Sequence, residues 1–98
     1  MNWELHRNNL KEGKQVQITP KGNSMLPIIE SGNTLTIVPC NKYKKDDIVF
    51  CKVKGNYYIH KITAVKQDSY QISNNKGRVN GWTKNIFGKV IKIERKKT

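Results

Sequence analysis

A chain of 98 residues with 19 Lys+Arg against 7 Asp+Glu, a formal net charge of +12 and 36% hydrophobic residues has room for one small core, which excludes nucleotide-binding barrels and doubly wound sheets. Its longest stretch without a charged residue, Ser31 to Asn41, is 11 residues long and contains Pro39, against the roughly 20 apolar residues that span a bilayer. The N-terminus, Met1-Asn2-Trp3-Glu4-Leu5-His6-Arg7, has neither an apolar h-region nor a small-residue cleavage site, so a cytoplasmic protein without a membrane span is expected. The two cysteines, Cys40 and Cys51, show no metal-ligand spacing and read as reduced, small core residues. No cofactor or metal is expected. Charge is uneven: residues 1–40 carry 4 basic and 3 acidic groups, net +1, and residues 41–98 carry 15 and 4, net +11. Clustered lysines attract nucleic acid or an acidic protein, and lysines at alternate strand positions also solvate a sheet and guard its edges.

Trp3, Leu5, His6 and Leu10 recur at near-helical spacing, Asn2 is placed to cap and Gly13 to terminate, which predicts a short helix over residues 3–11. Val16 and Ile18 alternate with Gln15, Gln17 and Thr19 in a half-buried strand stopped by Pro20. Thr34 to Val38 gives a second strand. Ile48–Val53 and Tyr57–Val65 are longer apolar runs separated by Lys54-Gly55-Asn56, a hairpin signal. Tyr70–Ser73 and Ile86–Ile93 supply two more strands. The expected fold is mainly β, a strongly bent antiparallel sheet or partly open barrel with one short N-terminal helix. It forms one domain over 1–98: helix and lead-in at 1–14, β core at 15–93, basic tail at 94–98.

The segment Lys21-Gly22-Asn23-Ser24-Met25-Leu26-Pro27 lies between two predicted strands. A serine in a tight turn of this composition projects its hydroxyl where backbone N–H groups converge, which suits an oxyanion hole, although Gly, Asn, Ser and Pro also make plain turns. A serine hydroxyl becomes a nucleophile only when a positioned base takes its proton. His6 belongs to the N-terminal helix and reads as a surface or docking residue. His60 shares a strand face with Tyr58, Ile62 and Ala64, and Lys61 points to the opposite face, so only one of the pair can reach Ser24. A histidine on an apolar strand face is also an ordinary core residue.

Gly22-Asn23-Ser24-Met25-Leu26-Pro27, Gly32-Asn33-Thr34-Leu35-Thr36-Ile37, Asp46-Asp47-Ile48-Val49, Tyr58-Ile59-His60-Lys61-Ile62 and Gly88-Lys89-Val90 follow one another in an order that resembles the signal peptidase I and LexA-like serine peptidase superfamily. The resemblance runs from about Leu5 to Ile93. It implies a serine peptidase with Ser24 as nucleophile and His60 at the position of the base, as in the histidine-type signal peptidases of the endoplasmic reticulum kind; Lys61 is the alternative base. It further implies that Gly22, Asn23, Met25 and Pro27 shape the oxyanion turn and the neighbouring groove. The chain departs from the family where an aspartate orients the imidazole: the corresponding stretch is Ile72-Ser73-Asn74-Asn75-Lys76, and Asn75 stands at the expected acid. Asn33 replaces the acid usual after the glycine, and Asp46 replaces the glycine usual before Asp-Ile-Val.

Two functions follow. The first is a small soluble serine endopeptidase acting on a peptide or protein substrate through Ser24 and His60. Export processing is disfavoured by the lack of an anchor, and repressor self-cleavage by the 23 residues before Ser24, which hold no helix-turn-helix. The second is a catalytically weak or inactive peptidase-like fold serving as a basic binding module for nucleic acid or an acidic protein, with Lys76, Arg78 and Trp82 as the contact candidates. The Lys-, Asn- and Ile-rich composition fits a bacterial or phage origin.

Overall fold

The structure is a computed structural model that describes residues 2–22 and 24–95. Asn23, assigned above to the oxyanion turn, and residues 96–98 of the basic tail lie outside the described residues. Helix α1 (Trp3–Lys11) starts as its sequence dictates, with Asn2 Oδ1 accepting the Leu5 N–H at 3.1 Å. Past its C-terminus Gly13 sits at φ +86°, its N–H donating to Leu10 O and the Lys14 N–H to Asn9 O. These two bonds form a Schellman motif, which needs a left-handed residue at that point. Leu10, 1% exposed, anchors the helix. No described helix is long and apolar enough to cross a membrane.

Seven strands follow: β1 (Val16–Ile18), β2 (Thr34–Val38), β3 (Ile48–Val53), β4 (Asn56–Lys66), β5 (Ser69–Ser73), β6 (Val79–Thr83) and β7 (Ile86–Glu94). The β3–β4 turn is tighter than the sequence suggested, because Lys54 and Gly55 alone make it, both at positive φ (50° and 85°), and Asn56 already pairs with Val53. That is the type I′ geometry whose twist matches a hairpin. β6 has no counterpart among the predicted strands, and the final strand runs on to Glu94, the residue assigned to the start of the tail.

The strands form one sheet in the order β1-β2-β7-β3-β4-β5-β6, every neighbouring pair antiparallel. The fold is mainly β with a strongly bent sheet, and the sheet is not closed into a barrel. Register shifts interrupt the β2–β7, β3–β7, β4–β5 and β5–β6 ladders, and each such bulge adds local twist and bend. The coil carries β6 back toward β3, where Thr83 Oγ1 donates to Lys52 O at 2.7 Å and the Lys52 N–H donates to Asn85 O at 3.0 Å.

The apolar residues divide into two clusters, where the sequence suggested one. Leu10, Val16, Ile18, Met25, Ile29, Leu35, Ile37, Phe50 and Ile59 pack under α1, and Val49, Cys51, Val53, Ile62 and Ile72 fill the concave side of the coil. β3 feeds both, with Phe50 on one face and Val49 and Cys51 on the other, because a coiled sheet covers its central strands on both sides. Burial pushes the Cys51 thiol up to about 12, so it stays protonated; Cys40 is half-buried, and neither is in a disulfide.

Gly88, paired with Phe50 on β7, sets how closely the strand meets its surroundings. A Cβ there would stand 2.7 Å from Ile37 Cγ2, 2.9 Å from Val38 O and 3.1 Å from Leu10 Cδ2. Gly88→Ala is expected to destabilise the protein by about 1–3 kcal/mol through overpacking, read as a lower urea midpoint at unchanged slope.

Candidate active site

Ser24 sits in the loop that joins β1 to β2. Gly22 precedes it at φ +111°, a conformation side chains disfavour, and Met25 and Ile29 after it are buried in the cluster beneath α1. The Ile29 N–H donates to Met25 O at 2.9 Å and Asn33, itself buried, accepts the Glu30 N–H at 2.8 Å. Where the resemblance expects an acid, Asn33 therefore serves as a turn clamp. Asn75 closes the loop from outside: its backbone N–H donates to Ser24 O at 2.9 Å and its side-chain Nδ2 to Leu26 O at 2.7 Å. The serine is thus held from the core side by apolar anchors and from the β5–β6 connection by an amide.

His60 lies on β4, 7% exposed, on the face that also carries Tyr58, whose ring stacks on the imidazole at 4.9 Å. Ser24 Oγ is 3.1 Å from His60 Nε2. On the other side of the ring His60 Nδ1 is 2.6 Å from Asn80 Oδ1. Since a side-chain carbonyl oxygen only accepts, Nδ1 carries the proton and Nε2 is left with its lone pair toward the serine hydroxyl. Burial lowers the His60 pKa below its ordinary value, and the hydrogen bond to Asn80 opposes that shift. The ring is accordingly biased toward its neutral, proton-accepting form.

The residue at the imidazole is a correction to the sequence reading. Asn75, expected to orient the ring, instead holds the Ser24 loop, and Asn80 occupies the orienting place. The cause is the bulge in β6: Ile72 pairs with Gly81 and Ser73 with Val79, so Asn80 is the extra residue. An extra residue breaks the alternation and turns a side chain toward a face that simple counting denies it. Lys61, the alternative base, pairs in register with Ile48 and Ser73 on the strand next to His60. Its side chain leaves the opposite face of β4 from the one that meets Ser24.

A cavity of about 160 Å³ opens beside the pair, its walls including Trp3, Lys21, Tyr57 and Tyr58 along with Ser24 and His60. A second, of about 30 Å³, lies behind Ser24 among Pro20, Met25, Ile29 and Ile59. Pro27 is exposed. Asp46 stands at φ +77°, in a left-handed position that glycine fills more easily, matching the place where the resemblance expects a glycine. Lys76 and Arg78 are exposed, and their N–H groups both donate to Asn74 Oδ1 at 2.9 Å. Trp82, 45% exposed, lines a cleft with Lys66, Gln67 and Ser69. The basic residue that shares this cleft is Lys66, across the β4–β5 turn, and neither Lys76 nor Arg78 lines it. Among the described residues no group of three or more His, Cys, Asp and Glu is placed to hold a metal ion.

The sequence matches the pattern of a known protein family. The sequence pattern described as Peptidase S24-like covers residues 3–91. No curated protein matches the chain.

If Asn80 governs the ring as its 2.6 Å contact indicates, its replacement moves the His60 titration in opposite directions. Asn80→Asp places a carboxylate on Nδ1–H and is expected to raise the His60 pKa by about one pH unit or more. Asn80→Ala removes the contact that opposes burial and lowers it further. NMR titration of the imidazole signals in a His6→Gln background, which leaves His60 as the one histidine, reads both shifts.

Proposed function

The chain belongs to the Peptidase S24-like family, and from that premise we propose that it is a serine endopeptidase with Ser24 as nucleophile and His60 as general base. The observation that carries this reading is the chain of contacts Ser24 Oγ to His60 Nε2 and His60 Nδ1 to Asn80 Oδ1. A hydroxyl, an imidazole and an orienting acceptor in line make the arrangement that activates a serine on several unrelated folds.

In the proposed reaction His60 Nε2 takes the Ser24 proton as Oγ bonds to the scissile carbonyl carbon, and backbone N–H groups of the Ser24 turn receive the developing oxyanion. The imidazolium then gives its proton to the leaving amine as the C–N bond breaks, and an acyl-enzyme remains. Water, deprotonated by the same imidazole, attacks the ester and releases the acid. Asn80 holds the tautomer throughout but adds no negative charge to the imidazolium, so this array is slower than one with a carboxylate in its place. The small niche behind Ser24 fits a small side chain next to the scissile bond, since it has room for little more than a water or two.

The binding-module reading has less behind it. Of its three contact candidates, Lys76 and Arg78 do not line the cleft that Trp82 forms with Lys66, Gln67 and Ser69.

Reaction with a serine-directed acylating probe, read by intact mass, tests the proposal. Labelling is expected at Ser24, absent in Ser24→Ala and reduced about 100-fold or more in His60→Ala. Because the neutral ring is the active base and burial lowers its pKa, labelling should rise with pH through a midpoint below the ordinary histidine value of 6.5 and stay level above it. A folded protein that never labels, or labels elsewhere, removes the endopeptidase reading.

A further inference from the structure

The walls of the cavity beside Ser24 carry a charge pattern that goes beyond catalysis. Trp3 stacks on Tyr57 at 6.0 Å and both rings pack on Phe50, at 5.3 and 5.7 Å, forming one side of the groove. Two basic side chains, Arg7 and Lys52, contact Tyr57 of this wall without lining that cavity or the one adjoining it. Arg7 Nη1 donates to Tyr57 Oη at 3.1 Å, and Lys52 Nζ lies 4.9 Å from the centre of the Tyr57 ring. Lys21 lines the catalytic cavity together with Tyr57, and it also lines an adjoining cavity of about 540 Å³ with Trp3, His6 and Gln17. The two cavities have Trp3 and Lys21 as common walls.

No carboxylate lines either cavity. Glu4 and Glu30 line neither cavity, Glu12 is 3.6 Å from Lys14, and none of the described ion pairs contains Arg7, Lys21 or Lys52. A cation held against a ring face or a phenol oxygen keeps its full charge while losing conformational freedom. Such cations are preorganised for an anion that arrives with the ligand.

We infer that this groove selects peptides bearing carboxylate side chains, with Lys21, Arg7 and Lys52 as the specificity-determining residues. The inference rests on the endopeptidase reading for the identity of the ligand as a peptide, and it names the chemistry of the residues flanking the cleavage point. Titratable and charged groups around the groove are His6 and Arg7 from α1, Lys21 from the loop before Ser24, Lys52 from β3 and His60 from β4. The phenols of Tyr57 and Tyr58 complete the titratable lining, and α1 also carries Glu4, which lines neither cavity. Arg7 and Lys52 contact Tyr57 rather than the imidazole, and Lys21 lines the cavity that holds Ser24 and His60.

The test is a set of blocked, alanine-rich peptides in which one glutamine is replaced by glutamate at successive positions, with binding measured by calorimetry on the Ser24→Ala protein. Surface ion pairs of this kind are worth roughly 0.2–1 kcal/mol each, so engaging two of them predicts about tenfold tighter binding of the best glutamate peptide than of its glutamine parent. The preference is expected to vanish near 1 M salt, where the Debye length falls to about 3 Å. Lys21→Glu, at an exposed position where folding is not at stake, should reverse it, and Arg7→Gln should weaken it. Equal binding of the glutamate and glutamine peptides, no measurable binding of any peptide, or a preference unchanged in Lys21→Glu overturns the inference. Hydrolysis of the same peptides by the unaltered protein is scored separately. Charge-selective binding without cleavage would sink the endopeptidase reading and leave the groove's selectivity standing, whereas cleavage indifferent to glutamate would do the opposite.

Discussion

An imidazole that is buried must have both ring nitrogens partnered, because each unsatisfied polar atom out of water costs on the order of 1–3 kcal/mol. His60 meets that requirement with Ser24 on one nitrogen and Asn80 on the other, and much of the molecule is arranged around it. The β1–β2 loop has to bring a hydroxyl to Nε2, so it is anchored through Met25 and Ile29 inside and through Asn75 outside. β6 has to bring a carbonyl oxygen to Nδ1, so its ladder is broken by one residue at Asn80. Tyr58 covers the ring face. Removing either partner leaves a buried nitrogen exposed to this cost, so the contacts that suit catalysis also stabilise the fold.

The choice of an amide at Asn80 is consistent with the same constraint. A carboxylate in this half-buried place would have to be desolvated in a site whose histidine is already pushed toward neutrality by burial; unless the ring became charged to meet it, its desolvation would go uncompensated. With Asn80 the resting array is neutral throughout, and no charge is buried before substrate arrives. In the proposed reaction the consequence would be a weaker electrostatic hold on the imidazolium.

What the sequence revealed and what it hid have physical reasons. α1 was legible because both of its ends are written in local chemistry, an Asn2 cap and a left-handed Gly13. The β3–β4 hairpin was legible for the same cause, its Lys54-Gly55 turn. Ser24 was singled out by the composition of its turn and His60 by its strand face, each together with the family resemblance. Asn80 was not, because Val79-Asn80-Gly81-Trp82 has neither the apolar alternation of a strand nor a regular face once the bulge intervenes. Asn75 attracted the role by position along the chain, yet position cannot tell which of two amides a bulge will turn inward. The second cluster had a trace in the unbroken run Val49-Phe50-Cys51, since a strand apolar on both faces is covered on both faces.

The charge asymmetry of the chain likewise changes meaning once the sheet is built. By sequence nearly all the excess positive charge belongs to residues 41–98, which points attention at the C-terminal strands and their turns. In space the cations near the Ser24 groove come from both parts: Arg7 from α1 and Lys52 from β3 both contact Tyr57, and Lys21 from the first loop lines the same cavity as that tyrosine. The antiparallel pairing of β3 with β4 sets Lys52 directly opposite Tyr57, and α1 lays Arg7 over the same phenol. Many of the remaining lysines occupy exposed strand and turn positions, where they solvate a sheet with two open edges. The local field at the groove therefore follows from register and helix docking, which place a few charges on one aromatic wall, more than from the net charge of the chain.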